Sequence, residues 1–409
     1  MRTALLRALA LSSIGFAASA VAQEKSPAPT TLRIATFNIE DVRADDVNRN
    51  DNPRLKAVAE VIQRISPNII FLNEIAYDMP GAPGWKDGDA PGQNAAKFVE
   101  NYLSTAQAPG LTPIRYKAFM APVNTGVFSG FDLDNDGKVI DSYPPPPGTK
   151  PDGSPGEQTP AGRAYGNDCF GFGTFPGQYG MALLVDERLT IDESNVRTFQ
   201  RLPWDYVVGN FMPSKADGTP WFTDEEKAAV RLSSKSHWDV PVKLPNGSEL
   251  HVLCSHPTPP VFDGPEDRNG RRNHDEIRFW MDYLANEPYV VDDNSKYGGM
   301  GSDASFVIVG DLNADPKKGD SFKNPISKLM SARRVSREFT PKADIEVSGL
   351  ESTDTSMFKM RVDYVLPSKD LKVEQGGVWR ALPSASKDGQ FPSDHFPVWI
   401  DVVVPAPKK

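Results

Sequence analysis

The chain has 409 residues, 39% of them hydrophobic, and a formal net charge of −9. That suffices for one large packed domain or two ordinary ones. The acidic balance disfavours nucleic acid, which such a surface repels on average, and two cysteines without paired spacing, Cys169 and Cys254, argue against a structural zinc site.

Residues 1–22 open with a basic region at Arg2 and Arg7, continue with an apolar run from Ala8 to Ala18, and end on the small-residue site Ala20-Val21-Ala22. The pattern predicts a removable export signal, with a buried N-terminal helix as the alternative; the run is short for a bilayer span. Removal leaves a secreted or periplasmic protein of charge −11, with a linker over 23–30, a single domain over 31–404 and a tail over 405–409. Nothing later is long and apolar enough to cross a membrane.

Leu32 to Asn38, LRIATFN, reads as a strand. Asn52 can cap a helix that Pro53 starts and that runs through Arg64, with Leu55, Val58, Ala59 and Ile62 on one face. Pro67 ends it, NIIFLNE (Asn68 to Glu74) is the next buried strand, and Asn94 to Leu103 reads as a second helix. Between Pro122 and Gly180, nine Pro and twelve Gly fall within 59 residues, which predicts a long insertion with little regular structure. Its aromatic residues Phe128, Phe131, Phe170, Phe172 and Phe175 are expected to be buried, giving it a small core. Within it, Asp132, Asp134, Asp136 and Gly137 have the spacing of a calcium loop, although Tyr143 stands where the bidentate carboxylate belongs. A structural Ca²⁺ and a solvated acidic turn both fit.

GMALLV (Gly180 to Val185) resumes the core, and SHWDVPVKL and ELHVLCSH flank Pro245-Asn246-Gly247 as a hairpin. Cys254 lies in the second of these strands, where a free buried thiol and a bridge to Cys169 are both ordinary. Arg268, Arg271 and Arg272 precede a helix expected over His274 to Ala285. Arg271 or Arg272 can bind a substrate phosphate there, or pair with the neighbouring acids Asp263, Glu266 and Asp267. Lys235 and His237 are weaker candidates for that phosphate contact; a strand-surface position or packing against Trp238 explains them more simply. FVIVGDLN is a strand buried on both faces that ends in a carboxylate and an amide, Asp311 and Asn313. A short helix near Ile326 to Ala332 follows, and RVDYVL and PVWIDVVV are the last clear strands. Strands interleaved with helices in two groups suggest two packed sheets with outer helices.

Polar residues recur at the strand ends: Asn38 and Glu40, Glu74, His256, Asp311 and Asn313, and Ser393-Asp394-His395, with Asp363 inside RVDYVL. Each is ordinary alone; the ordered set can converge on one edge of a sandwich. Hard oxygen ligands suit Mg²⁺ or Mn²⁺, and imidazoles beside them suit proton transfer or phosphate binding. The inventory fits hydrolysis of a phosphate ester.

The segments TFNIE, FLNE, SHP, GDLN, RVDYVL and SDHFPV, in this order over about residues 31–404, resemble the endonuclease/exonuclease/phosphatase family. The resemblance implies a four-layer α/β/β/α sandwich of two packed mixed sheets, interrupted here by the insertion at 122–180. It implies that Glu74 is the principal metal ligand, with Asn38 and Glu40 lining the same pocket and Asp394 binding directly or through water. Asp311 would orient or deprotonate the attacking water, Asn313 would hold the phosphate, and Asp363 would fix the tautomer of a protonated His395. His256 would contact the phosphate or protonate the leaving group. Asn73 stands where many relatives carry Gln, Glu40 where they often carry Asp, and Pro257 where Leu is common. The expected activity is an exported metal-dependent phosphodiesterase; a secreted nuclease and a binding protein with a retired active site are the alternatives.

Overall fold

A computed structural model describes residues 28–301, 304–384, 386 and 389–407. The expected export signal at 1–22 lies outside the described residues, as do 23–27 of the linker and 408–409 of the tail. In chain order the elements are β1 (Thr30–Val42), α1 (Ala44–Val47), α2 (Pro53–Ile65), β2 (Ile69–Ile75), α3 (Asn94–Phe98), β3 (Tyr116–Phe119), α4 (Pro160–Asn167), β4 (Met181–Asp186), β5 (Thr190–Ile191) and β6 (Arg197–Thr198). There follow α5 (Asp224–Ala229), β7 (His237–Lys243), β8 (Glu249–Ser255), α6 (Arg268–Ala285), β9 (Phe306–Asp311), α7 (Pro325–Met330), β10 (Asp363–Pro367), β11 (Lys372–Val378) and β12 (Val398–Val404).

The strands form two mixed six-stranded sheets. One has the order β11-β12-β1-β2-β4-β3; the other has β10-β9-β8-β7-β5, with β6 also on β7. Each contains one parallel pair, β1 with β2 and β8 with β9, among antiparallel neighbours. The four-layer arrangement follows from side-chain alternation. In β9, Val307 and Val309 join the core shared with the first sheet, while Phe306 and Ile308 face the cluster that α6 and α7 complete through Ile277, Trp280, Ile326 and Leu329. On the other side α2 buries Leu55, Val58 and Ile62. Its start is the one expected: the Asn52 side chain accepts from the Arg54 and Leu55 N–H groups, and Pro53 follows. The sandwich is the α/β/β/α fold that the resemblance implies.

Three local expectations are corrected. The helix expected from His274 begins six residues earlier, at Arg268, so Arg271 and Arg272 lie inside α6 rather than before it. Its first two turns, RNGRRN, carry no apolar stripe and gave no periodic signal. The stretch read as one helix over 94–103 changes from α to π winding at Val99. Of the five insertion phenylalanines only Phe175 is fully buried, and Phe172 is 38% exposed. The insertion is instead clamped by polar bonds. Asn124 N–H donates to Lys235 O and its amide to Ser233 O, while the Arg272 guanidinium donates to Phe170 O. Cys169 and Cys254 are both free and buried. Among the described residues no helix is long and apolar enough to cross a membrane.

Candidate active site

The topology brings the strand-end residues together. Glu74 and Asp311 lie at the C-terminal ends of β2 and β9, Asn38 lies where the regular pairing of β1 with β2 breaks, and His256 follows β8. Strands β10 and β12 run antiparallel to their neighbours, so their N-terminal ends, with Asp363 and the preceding His395, reach the same edge. Asp363 stands directly opposite Asp311 in the ladder.

Asn38 joins the two sheets. Its amide nitrogen donates to Glu74 Oε1 at 3.0 Å and to Asp311 Oδ2 at 3.1 Å, so a neutral donor bridges two carboxylates. Its carbonyl oxygen accepts the Glu40 N–H, and Ser393 Oγ donates to its backbone oxygen. Glu74 Oε2 accepts the Asp41 N–H at 3.0 Å. Glu40, Asp41, Glu74 and Asn313 all adopt positive φ, a concentration of left-handed backbone that suits a site where polar side chains are aimed inward.

His395 Nδ1 lies 2.8 Å from Asp363 Oδ2, and its Nε2 points towards Asp311 Oδ2 at 3.7 Å. His256 Nε2 faces the same oxygen from the other side at 3.5 Å. These environments sort the charges. Burial opposes charge on His395, but Asp363 and Asp311 outweigh it and hold the imidazole well above its ordinary range, protonated. Burial, with repulsion from Lys235, pushes His256 down to about 4, so it is neutral. Burial would raise Asp311, yet His395 and His256 keep it ionised and low. Burial raises Asp363 to about 6, against the pull of His395.

On the first sheet the order is reversed. Glu74 is pushed up to about 7 by burial and then by Asp394, and Glu40 is raised by the same two causes. Acids that burial and one another keep from ionising fit a cation, which would relieve both effects. Among the described residues, the acidic or imidazole groups whose ligand atoms all come within 4.8 Å of one another are Asp311–Asp363–His395 and Asp132–Asp134–Asp136. In the first, His395 is hydrogen-bonded to Asp363 and faces Asp311 by charge alone at 3.7 Å. Glu40, Glu74 and Asp394 are more widely set, which suits Mg²⁺ held through one or two carboxylates and water.

The other expected residues fall as follows. Asn313 lies past the end of β9; its N–H donates to Asp311 Oδ1 and its amide to Pro257 O, so it braces the His256 loop against β9. Asp394 is half exposed at the mouth. Arg272 lines the adjoining cavity while donating to Leu232, Phe170 and Arg231 carbonyls. Arg271 donates to Glu266 O and packs on Phe322. Asp132 and Asp134 accept the Asp136 and Gly137 N–H groups, as a tight acidic turn does with or without an ion.

Sequence reading ranked Lys235 below the arginines, as explained more simply by a strand-surface position or packing against Trp238, and missed its burial beside Glu74 and His256 on the wall of that cavity. It also missed Glu276, which accepts the Ser234 and Thr258 N–H groups and ties both flanks of the site to α6. The signal available for Lys235 was a lone cation in a run of serines just before a strand, SSKSHW, too common to single out.

The sequence pattern described as "Endonuclease/Exonuclease/phosphatase family" matches residues 35–395. No curated protein matches the chain. Among solved structures, an endonuclease/exonuclease/phosphatase from Beutenbergia cavernae is similar over 93% of this chain and 73% of its own, at 18% identity and a TM-score of 0.49. The human Nocturnin catalytic domain with bound sulfate covers 91% of this chain and 97% of its own, at 13% identity and a TM-score of 0.44. A mannosyl-6-phosphatase from Bacteroides thetaiotaomicron covers 91% and 99%, at 15% identity and a TM-score of 0.42.

Proposed function

The chain belongs to the endonuclease/exonuclease/phosphatase family of phosphoester hydrolases, and from that premise we propose that it is an exported, divalent-cation-dependent phosphodiesterase. The observation that carries the reading is the Asn38 bridge between Glu74 and Asp311, which sets a cation-binding carboxylate beside an ionised carboxylate flanked by two imidazoles.

A Mg²⁺ or Mn²⁺ held by Glu74, with Asn38, Glu40 and Asp394 around it, would supply positive charge against the phosphoryl oxygens. The protein's own groups divide the remaining work. Asp311, ionised and held low, is a weak base; its contribution is to accept a hydrogen bond from water and aim its lone pair at phosphorus. His395, kept cationic by Asp363, stabilises charge on the non-bridging oxygens. His256 is neutral, and the single N–H it can offer the phosphate is the one on Nε2, which it would share with Asp311. Water adds to phosphorus in line with the departing ester oxygen, the P–O bond breaks, and the proton that the attacking water gives up balances the one that the leaving oxygen takes up. Export rests on the tripartite pattern of residues 1–22, and the secreted protein would begin after Ala22.

Hydrolysis of bis-4-nitrophenyl phosphate, phospholipids, DNA and RNA with Mg²⁺, Mn²⁺ or chelator tests the proposal. Turnover should require the cation, and Asp311→Ala and His395→Ala should each lower kcat by roughly a thousandfold while the protein stays folded. Turnover retained in both variants refutes the assignment.

A further inference from the structure

A cavity of about 740 Å³ opens beside Glu74 and His256, walled by the insertion (Gln158, Asn167, Phe172, Tyr179) and by the start of α6. That volume suits a small-molecule group. Its charged wall is one-sided: Arg163, Lys235, Arg268 and Arg272 are cations, and Glu74 is the one acid. Three of these cations are engaged. Arg163 donates to Gln158 O, Arg268 lies 3.7 Å from Glu266, and Arg272 is spread over three carbonyls. Lys235 differs. It is only 5% exposed, and among the described residues its ammonium makes no hydrogen bond or salt bridge; the nitrogen itself opens on the cavity.

A buried ammonium without a partner is costly, and proteins keep such groups where a ligand completes them. Burial holds the Lys235 ammonium below its ordinary range, against the attraction of Glu276, Glu74 and Asp311 and with repulsion from Arg272, so an anion beside it would favour its charged form. Glu276 is committed to Ser234 and Thr258, and the other two belong to the catalytic edge. Lys235 therefore stands where that edge joins the cavity.

Building on the phosphoesterase reading, we propose that the cavity receives the organic group esterified to the scissile phosphate, that this group carries its own carboxylate or phosphate, and that Lys235 binds that second anion. The substrate class is a compact phosphodiester with an additional negative charge. The insertion, by walling the cavity, makes the site selective for it.

Two diesters that both release 4-nitrophenol test this: bis-4-nitrophenyl phosphate and 4-carboxyphenyl 4-nitrophenyl phosphate. The native enzyme should prefer the carboxylated one in kcat/KM by roughly tenfold or more, the value of one charge-assisted hydrogen bond. Lys235→Met should bring the ratio near one, and Lys235→Arg should retain most of the preference. Calorimetric titration of 4-carboxyphenyl phosphate into metal-free protein should show about tenfold weaker binding to Lys235→Met. The same variant should melt higher than the native protein, because the unpartnered charge is gone, whereas a lysine with a structural role would lower the melt. A ratio near one in the native enzyme, or one unchanged by Lys235→Met, overturns the proposal and leaves the phosphoesterase reading standing. If neither diester is cleaved with Mg²⁺ or Mn²⁺, that reading falls, and the calorimetric comparison alone decides the cavity: equal binding by native protein and Lys235→Met overturns it.

Discussion

At the residue scale, the site depends on carboxylates of opposite character a few ångströms apart. Asp311 is held low by two imidazoles, while Glu74 is pushed to about 7 by burial and Asp394. The consequence for Glu74 has a definite sign. Its folded value lies above the ordinary 4.5, so between 4.5 and about 7 the folded protein keeps a proton that the unfolded chain has released. Stability from this group is fully present below that window and is lost as pH rises through it. A cation competes with the same proton. At pH 6 about a tenth of Glu74 is ionised and at pH 8 about nine-tenths, so Mg²⁺ should bind about tenfold more tightly at pH 8. It should also raise the melting temperature more there, and Glu74→Gln should abolish both effects. Equal affinities at pH 6 and pH 8 would remove Glu74 as the ligand.

At the element scale, α6 organises the flank of the site. Arg272 donates to Phe170 O from the insertion and to the Arg231 and Leu232 carbonyls before β7. Replacing it with Met leaves those acceptors without their donor, and Arg272→Met should destabilise the protein by about 2–4 kcal/mol in denaturant titration. Limited proteolysis should then cut within 122–180, where the native chain resists; an unchanged digestion pattern would mean that the insertion is held elsewhere. This element also shows what sequence could and could not convey. FVIVGD and IIFLNE declared themselves because strands buried on both faces are continuously apolar, and the carboxylates ending them stood out. The start of α6 stayed hidden because its first two turns are polar and charged, stabilised by backbone carbonyls far away in the chain. The burial of Lys235 stayed hidden for the same reason: the insertion meets the chain there, with the Asn124 N–H bonded to the Lys235 backbone oxygen, and no local pattern encodes that contact.

At the scale of the whole molecule, the active site exists only because two sheets meet at one edge. Glu74 and Asn38 belong to the first sheet and Asp311 to the second, so the spacing between sheets is the spacing between the proposed cation ligand and the carboxylate proposed to aim water. Asn73 helps to fix it, its side-chain oxygen accepting from Thr36 Oγ1 in its own sheet and from the Asp311 N–H in the other, each at 3.3 Å. Gly310 sets the approach just before Asp311. A Cβ there would lie 2.0 Å from Ser255 O and 3.4 Å from the Phe71 ring of the opposing sheet, and its φ of +148° disfavours any other residue. Because Ser255 immediately precedes His256, relief of the clash must move the His256 imidazole as well as the sheets. Gly310→Ala should therefore cost on the order of 3 kcal/mol of stability and, in the fraction still folded, lower kcat far more than KM, since the loss falls on alignment and not on the cavity. A variant that melts like the native protein and keeps its turnover would show that the sheets are less tightly apposed at this point, and the requirement that both supply one reaction centre would lose its structural basis.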